Sequence, residues 1–374
     1  MTETTELYRP GLEGIIAGET AVSTVEQDSL AYRGYRIDEL AEHASFEEVA
    51  YLLLRDELPN ASQLAAFRKQ LDGHRSLPGA VVDALRLIPP DANYMDICRT
   101  AVSMCAHFDP YRGDDLDALV GRAAFILAAV PSIIAARMRI AAKQPLVDPK
   151  PGLSHAAQFL HMAFGKPPQP LHEKILNLTL VLYAEHEFNA STFACRVATS
   201  TLTDMYSSLV TGIATLKGPL HGGANEEAIK LINQFRTAAE ARTWTENAIA
   251  NKQLIMGFGH RVYKNGDHRA RILEHYVNEL GKARGDGARV EIFHTIKQIV
   301  WDRKQLHPNV DYPCGLVYYF MDLPTEIYTP LFVAARVSGW AAHTIEQFTN
   351  NRIMRPRSRY TGPALRAYVP LAKR

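Results

Sequence analysis

Four segments of this chain carry residues able to do acid–base chemistry: His186 in YAEHEFNAST, His221 in LKGPLHGGANE, His260 in MGFGHRVYKNGDHR and Asp311 in PNVDYPCG. A neutral imidazole can donate a hydrogen bond to an oxygen that is gaining charge. A carboxylate placed beside it can remove a proton. Arg269, Arg336 and Arg355 add guanidinium groups along the same half of the chain, and a guanidinium holds a carboxylate through two parallel N–H bonds. Neutral donors, one base and cations for a small anion suit carbon–carbon bond formation from a weakly acidic carbon acid.

Each segment also has a plainer reading. His221 lies in Gly218-Pro219-Leu220-His221-Gly222-Gly223-Ala224-Asn225. Glycines beside it leave room for a ligand, and the start of a following helix keeps the ring neutral; a structural loop histidine fits the local residues equally well. Gly257-Phe258-Gly259-His260-Arg261 lacks the full G-x-G-x-x-G pattern, so a dinucleotide fingerprint has no support. With Lys264 and Arg269 following, the segment reads as donor-rich, although Arg261 by itself reads as a solvated turn residue. Asp311, between Pro308 and Pro313, falls in a stretch read as irregular, where aspartate is more often a turn former or a cap. Arg336 sits in an apolar helical run, where a buried charge requires a partner. Arg355, in RIMRPRSR, reads by itself as a tail residue.

Several classes of chemistry find no support. An HExxH zinc site starting at His186 would need histidine at position 190, which is Ala190. His155, His161 and His172 fit no ligand spacing, so no metal site is expected. No G-x-S-x-G element suggests a serine hydrolase. Cys98, Cys105, Cys195 and Cys314 form no C-x-x-C pair and read as reduced thiols. A net charge of +1 argues against nucleic acid as the main partner.

The elements that must position these residues are mostly helices. The segments IDELAEHASFEEVAYLLLRDEL (two short helices, Val49, Leu52 and Leu53 on one face of the second), MDICRTAVSMCAHF, PLHEKILNLTLVLYAEH, TDMYSSLVTGIATL, NEEAIKLINQF, HRARILEHYVNELG, RVEIFHTIKQIVWDRK and TPLFVAARVSGWAAHTIEQF repeat apolar residues at helical spacing. Strand signals are confined to EGIIAG and TAVSTVE near the start, with short pieces near the C-terminus. KQPLVDPKPGLS reads as a loop, GKARGDGAR as a surface turn, and MRPRSRYTGP as a basic irregular arm. The run from Ala123 to Ala136 is too short to span a bilayer and contains Pro131, so it reads as a buried helix. No signal or transit pattern opens the sequence, and a soluble, cytoplasmic protein with no membrane partner is expected.

Taken in order, these segments resemble the citrate synthase family nearly end to end. GLEGIIAGETAVSTV, LAYRGYRIDELAEHASFEEVAYLLLRDELP, MDICRTAVS, EHEFNASTFACR, LKGPLHGGANEEAI, MGFGHRVYK and GWAAHTIEQ carry the likeness. The resemblance implies an all-α fold, with a large helical domain at residues 1–221 plus 323–374 and a smaller inserted one at 222–322. It also implies a homodimer in which both subunits shape each site. On matching positions, His221 would bond the thioester carbonyl of an acyl-CoA, Asp311 would remove its α-proton, and His260 would polarise the ketone of oxaloacetate. His186, Arg269, Arg336 and Arg355 would bind oxaloacetate, Arg355 coming from the partner subunit. Leu254, Ile255, Met256, Gly257 and Phe258, with Lys264, would contact coenzyme A, and Arg75 would also bind a substrate. Coenzyme A thioester would enter as co-substrate, with no tightly bound cofactor and no metal.

Where the family usually has Asp-Pro-Arg, this chain has Asp267-His268-Arg269, so the turn gives up proline's fixed φ. YAEHEFNAS, with Glu185 and Phe188, resembles the 2-methylcitrate synthase branch. The expected activity is condensation of propionyl-CoA with oxaloacetate, with acetyl-CoA also accepted. The main citrate synthase of the tricarboxylic acid cycle is the alternative. A metal-dependent hydrolase and a non-catalytic helical interaction protein are remote ones.

Overall fold

The computed structural model describes residues 8–26, 29–260, 262–263 and 265–374. Lys264 and Arg261 therefore lie outside the described residues. In chain order the described helices are α1 (Ile37–His43), α2 (Phe46–Arg55), α3 (Ala61–His74), α4 (Gly79–Leu87), α5 (Tyr94–Cys105), α6 (Leu116–Ala141), α7 (His155–Phe164), α8 (Pro170–Tyr183), α9 (Ala190–Thr199), α10 (Met205–Leu216), α11 (Ala224–Asn233), α12 (Ala238–Ala250), α13 (His268–Arg284), α14 (Gly287–Lys304), α15 (Asp311–Phe320) and α16 (Tyr328–Thr349). The described strands, β1 (Ser23–Glu26), β2 (Ser29–Tyr32) and β3 (Tyr35–Arg36), form one small antiparallel sheet. TAVSTVE thus supplies a strand, whereas EGIIAG opens in a turn at Glu13 and Gly14 and forms no described strand, and the C-terminal arm contains no described strand.

Local sequence explains where the helices begin. Ser45 and Glu48 cap the start of α2 reciprocally, and Asn60 and Gln63 do the same for α3. Val49, Leu52 and Leu53 are wholly buried, as their spacing predicts. The run around Pro131 extends into the 26-residue α6, longer than the apolar run alone predicts. It is long and apolar enough to cross a membrane, but 94% of its most apolar window is buried within the protein, so it is the core helix. Lys143 to Ser154 is a loop, whereas GKARGDGAR narrows to a tight turn because α13 runs to Arg284, Gly285 turns left-handed at φ +72°, and α14 starts at Gly287.

One further expectation is corrected. Asp311 is the first residue of α15 rather than a loop residue. Pro313 does not prevent this, because a first-turn residue has no intrahelical acceptor for its N–H.

Packing is organised around two groups. Helix α16 runs against α2, α6, α8, α9 and α10, with Trp340 fully buried. Helices α11 to α15 pack chiefly on one another, α11 and α13 against α15 and α12 against α14. His186, His221, His260, Arg269, Asp311 and Arg336 lie where the two groups meet.

Candidate functional site

A cleft of about 900 Å³ brings together His186, His221, His260, Arg269, Asp311 and Arg336, along with the Leu254–Phe258 segment. Distant parts of the chain supply them. His186 sits between α8 and α9, His221 in the turn before α11, and His260 in the loop before α13. Arg269 is in the first turn of α13, Asp311 opens α15, and Arg336 lies in α16.

The loop carrying His260 is tied directly to the approach to Asp311. Phe258 pairs with Pro308, the Gly259 N–H donates to the His307 carbonyl at 2.8 Å, and the Asn309 N–H donates to the Gly257 carbonyl at 2.9 Å. Gly257 has φ +89°, and a Cβ there would meet the Tyr312 Cβ at 2.9 Å, so only glycine fits. Asn309 then accepts the Asp311 N–H at 3.1 Å. The glycine after His221 serves packing instead: a Cβ on Gly222 would lie 2.2 Å from the Leu216 carbonyl oxygen. It closes the turn rather than opening a path to a ligand.

The ring orientations define which nitrogens carry protons. His221 Nε2 accepts the Ser191 N–H at 3.2 Å and lies 2.8 Å from Ser191 Oγ, so its neutral form is protonated on Nδ1. Trp340 Nε1 donates to Ser191 Oγ at 3.2 Å and holds that hydroxyl in place. Burial, with a smaller effect from Arg336, pushes the His221 pKa down to about 4. Burial is thus the larger cause of the neutrality expected from the following helix. His260 Nδ1 accepts the N–H groups of Val262 and Tyr263 at 3.1 and 3.2 Å, which puts the proton of its neutral form on Nε2. His186 is 3.0 Å from the Tyr263 hydroxyl through Nε2, and burial beside Arg269 holds it well below the usual imidazole range.

Asp311 is half-buried at the cleft wall, and desolvation raises its pKa to about 6, partly opposed by a hydrogen bond from Tyr183 and by Arg269. A carboxylate of that basicity is matched to proton abstraction near neutral pH. Arg269 pairs with Asp267 at two points. Arg336 donates Nε to the Tyr183 carbonyl at 2.7 Å, while its buried Nη1 has no partner. A buried guanidinium nitrogen with nothing to bond is costly unless an anion completes it. The cleft therefore offers two cations, imidazoles with fixed protons and one raised carboxylate. Among the described residues, no three His, Cys, Asp or Glu side chains converge to hold a metal ion.

Two candidates lie elsewhere. Arg75 is buried against Asp72 and His155 and lines a separate cavity of about 150 Å³. Arg355 is exposed on the C-terminal arm beyond α16. The replacement of proline at position 268 has little local cost. Asp267 is the N-cap of α13 and accepts the Arg269 N–H at 3.1 Å, so the cap fixes the turn that proline would have stiffened. Tyr183, Ser191, Trp340 and Tyr263 also belong to the site. So does the Gly11–Gly18 segment at the mouth, where Gly18 lies against the Phe188 ring. Their signal was position alone: Tyr183 and Ser191 flank His186 in YAEHEFNAS.

Comparisons with known proteins agree with this architecture. Residues 11–357 match the family described as "Citrate synthase, C-terminal domain". A 2-methylcitrate synthase of Shewanella oneidensis is 42% identical over 100% of both chains. A citrate synthase of Mycolicibacterium smegmatis is 40% identical over 99% of this chain and 100% of its own. The citrate synthase of Thermoplasma acidophilum, solved as a ternary complex with carboxymethyl coenzyme A and oxaloacetate, superposes with a TM-score of 0.93 at 35% identity, covering 99% of this chain and 100% of that one. With the family match spanning residues 11–357 and relatives alike over their full length, the chain belongs to the citrate synthase family.

Proposed function

We propose that this enzyme condenses propionyl-CoA with oxaloacetate and water to give 2-methylcitrate and coenzyme A, and also converts acetyl-CoA to citrate. The observation that carries the reading is the meeting of Asp311, His221 and His260 in one cleft with Arg269 and Arg336. Full-length similarity to a 2-methylcitrate synthase supports the choice of acyl donor.

In this mechanism Asp311 removes the α-proton of the thioester while His221 donates from Nδ1 to the oxygen that becomes the enolate. A preorganised donor of this kind contributes about 3–4 kcal/mol, and a placed base roughly 10²–10⁴-fold. His260 donates to the ketone oxygen as it becomes an alkoxide. Arg269, Arg336 and His186 fix oxaloacetate, with the unpartnered Nη1 of Arg336 finding its acceptor there. Holding both reactants in one pose makes the condensation effectively intramolecular. Hydrolysis of the thioester then releases coenzyme A, which Leu254–Phe258 and Lys264 contact.

The same reading assigns residues 1–221 plus 323–374 to a large domain and 222–322 to a small one, closing over the ligands to exclude water until hydrolysis. It makes the protein a cytoplasmic homodimer whose arm delivers Arg355 to the neighbouring site. Arg75 is left with a supporting role in the protein core, given its burial against Asp72.

Release of coenzyme A with oxaloacetate and either propionyl-CoA or acetyl-CoA tests the proposal. A higher specificity constant for propionyl-CoA is expected. One methylene is worth only about 1–3 kcal/mol in an apolar pocket, and the similarity to a citrate synthase is nearly as great. A clearly higher constant for acetyl-CoA would make citrate formation the principal activity.

A further inference from the structure

The hydroxyl of Tyr183 donates to Asp311 Oδ1 at 2.6 Å. Tyr183 is the last residue of α8, three residues before His186, and its position is over-determined. Its carbonyl accepts Arg336 Nε at 2.7 Å. Its ring packs on Phe332, centroid to centroid 4.4 Å. The side chain is buried, and desolvation with the Asp311 charge keeps the phenol protonated well above its usual range. At any working pH it therefore acts only as a donor.

We propose that Tyr183 is a positioning residue for the base, holding Asp311 by Oδ1 so that Oδ2 is presented to the α-hydrogen. This rests on the reading of Asp311 as the base. Asp311 is bonded at its backbone N–H by Asn309, but Tyr183 supplies the side-chain hydrogen bond that orients the carboxylate. A charge-assisted hydrogen bond of this length has directional force. It also favours the ionised carboxylate, which burial opposes. The other charged or titratable groups facing Asp311 are Arg269 and Asp267 at the start of α13, Arg336 on α16, and Cys314 on its own helix. None of these donates a hydrogen bond to the carboxylate, so the arginines shift its ionisation without setting its direction.

The same tyrosine joins the anion site to the base, because its carbonyl bonds Arg336 while its hydroxyl bonds Asp311. Oxaloacetate drawn to Arg336 and the base acting on the acyl group are thereby held in register through one residue.

Tyr183→Phe removes only the hydroxyl. Rates measured against pH with propionyl-CoA and saturating oxaloacetate should show the acidic limb of kcat/KM moved up by about one pH unit, the size expected for losing a hydrogen bond to a charged group. The plateau kcat should fall about tenfold, while the oxaloacetate KM stays within about twofold, because its ligands are untouched. Site-specific 3-fluorotyrosine at position 183, which keeps the ring's size and is a stronger donor, should move the limb the other way. An unmoved limb in both variants overturns the proposal, whatever the plateau rate. Asp311→Asn separates the two levels: an inactive D311N protein beside a silent Tyr183 removes the positioning role alone, whereas turnover by D311N removes the assignment of the base and this proposal with it.

Discussion

Asp267 holds Arg269 and the approach to Asp311 at once. Arg269 Nε and Nη2 meet Asp267 Oδ1 and Oδ2 at 3.0 and 2.9 Å, and Oδ2 also accepts the Val310 N–H at 2.9 Å. Burial opposes ionisation of Asp267, but Arg269 outweighs it and holds the carboxyl below its usual range. The α13 cap, the anion-binding arginine and the residue before the base thus share one carboxylate.

Asp267→Asn should therefore be costly. It retains an oxygen to cap α13 but leaves Arg269 buried without its counter-charge, a loss of about 3–5 kcal/mol for a broken buried pair. Urea unfolding at pH 7.5 measures it. The variant should also lose turnover, because Val310 is no longer tethered. A change below about 1 kcal/mol would mean that water replaces the carboxylate.

Asp311→Asn should have opposite effects on rate and stability. The native pKa is raised to about 6 from an ordinary 3.8. Between those values the folded protein holds a proton that the unfolded chain has lost, so stability falls as pH rises through that window. Asparagine carries no such cost. The variant should be inactive yet roughly 1–3 kcal/mol more stable at pH 8, with the advantage shrinking towards pH 4. Denaturant midpoints at the two pH values decide it. Equal gains at both would trace the effect to packing rather than charge.

Much of this architecture is legible from residue types. Apolar spacing finds α2, α8 and α16, because each presents a continuous face to the core. Asp311 is placed in a loop by its neighbouring prolines, yet it opens a helix, because Pro313 falls in the one turn that tolerates it. The histidines and arginines of the cleft announce themselves by charge and glycine context. Tyr183, Ser191 and Trp340 do not: a tyrosine ending an apolar helix and a tryptophan in its interior are ordinary core residues until the fold sets their polar atoms against Asp311 and His221. Arg75 stands apart from the cleft, paired with Asp72 and lining a cavity of its own.

Ser191→Ala tests how the proton of His221 is held. The backbone N–H still bonds Nε2, so the tautomer survives, but the ring loses the hydroxyl fixed by Trp340. The kcat should fall about tenfold, in line with one hydrogen bond lost, and the oxaloacetate KM should hold. His221→Ala, which removes the donor itself, should cost about 10²–10³-fold. With the His221 pKa pushed down to about 4, neither the wild-type nor the S191A acidic limb should report this ring. Equal losses in the two variants would make Ser191 part of the donor rather than its support.

Arg336→Lys keeps the charge and removes the geometry. Arginine here donates Nε to the Tyr183 carbonyl, stacks over Phe332 at 4.7 Å and still has Nη1 free for a ligand. Lysine has one nitrogen for all three tasks. Loss of a charge-assisted hydrogen bond is worth about 1.5–3 kcal/mol, which is roughly 10–100-fold in affinity. Calorimetric binding of oxaloacetate should weaken by that factor, with the acyl-CoA KM changing less. Binding that is undisturbed by the lysine would mean that the cleft recognises the dianion by charge alone.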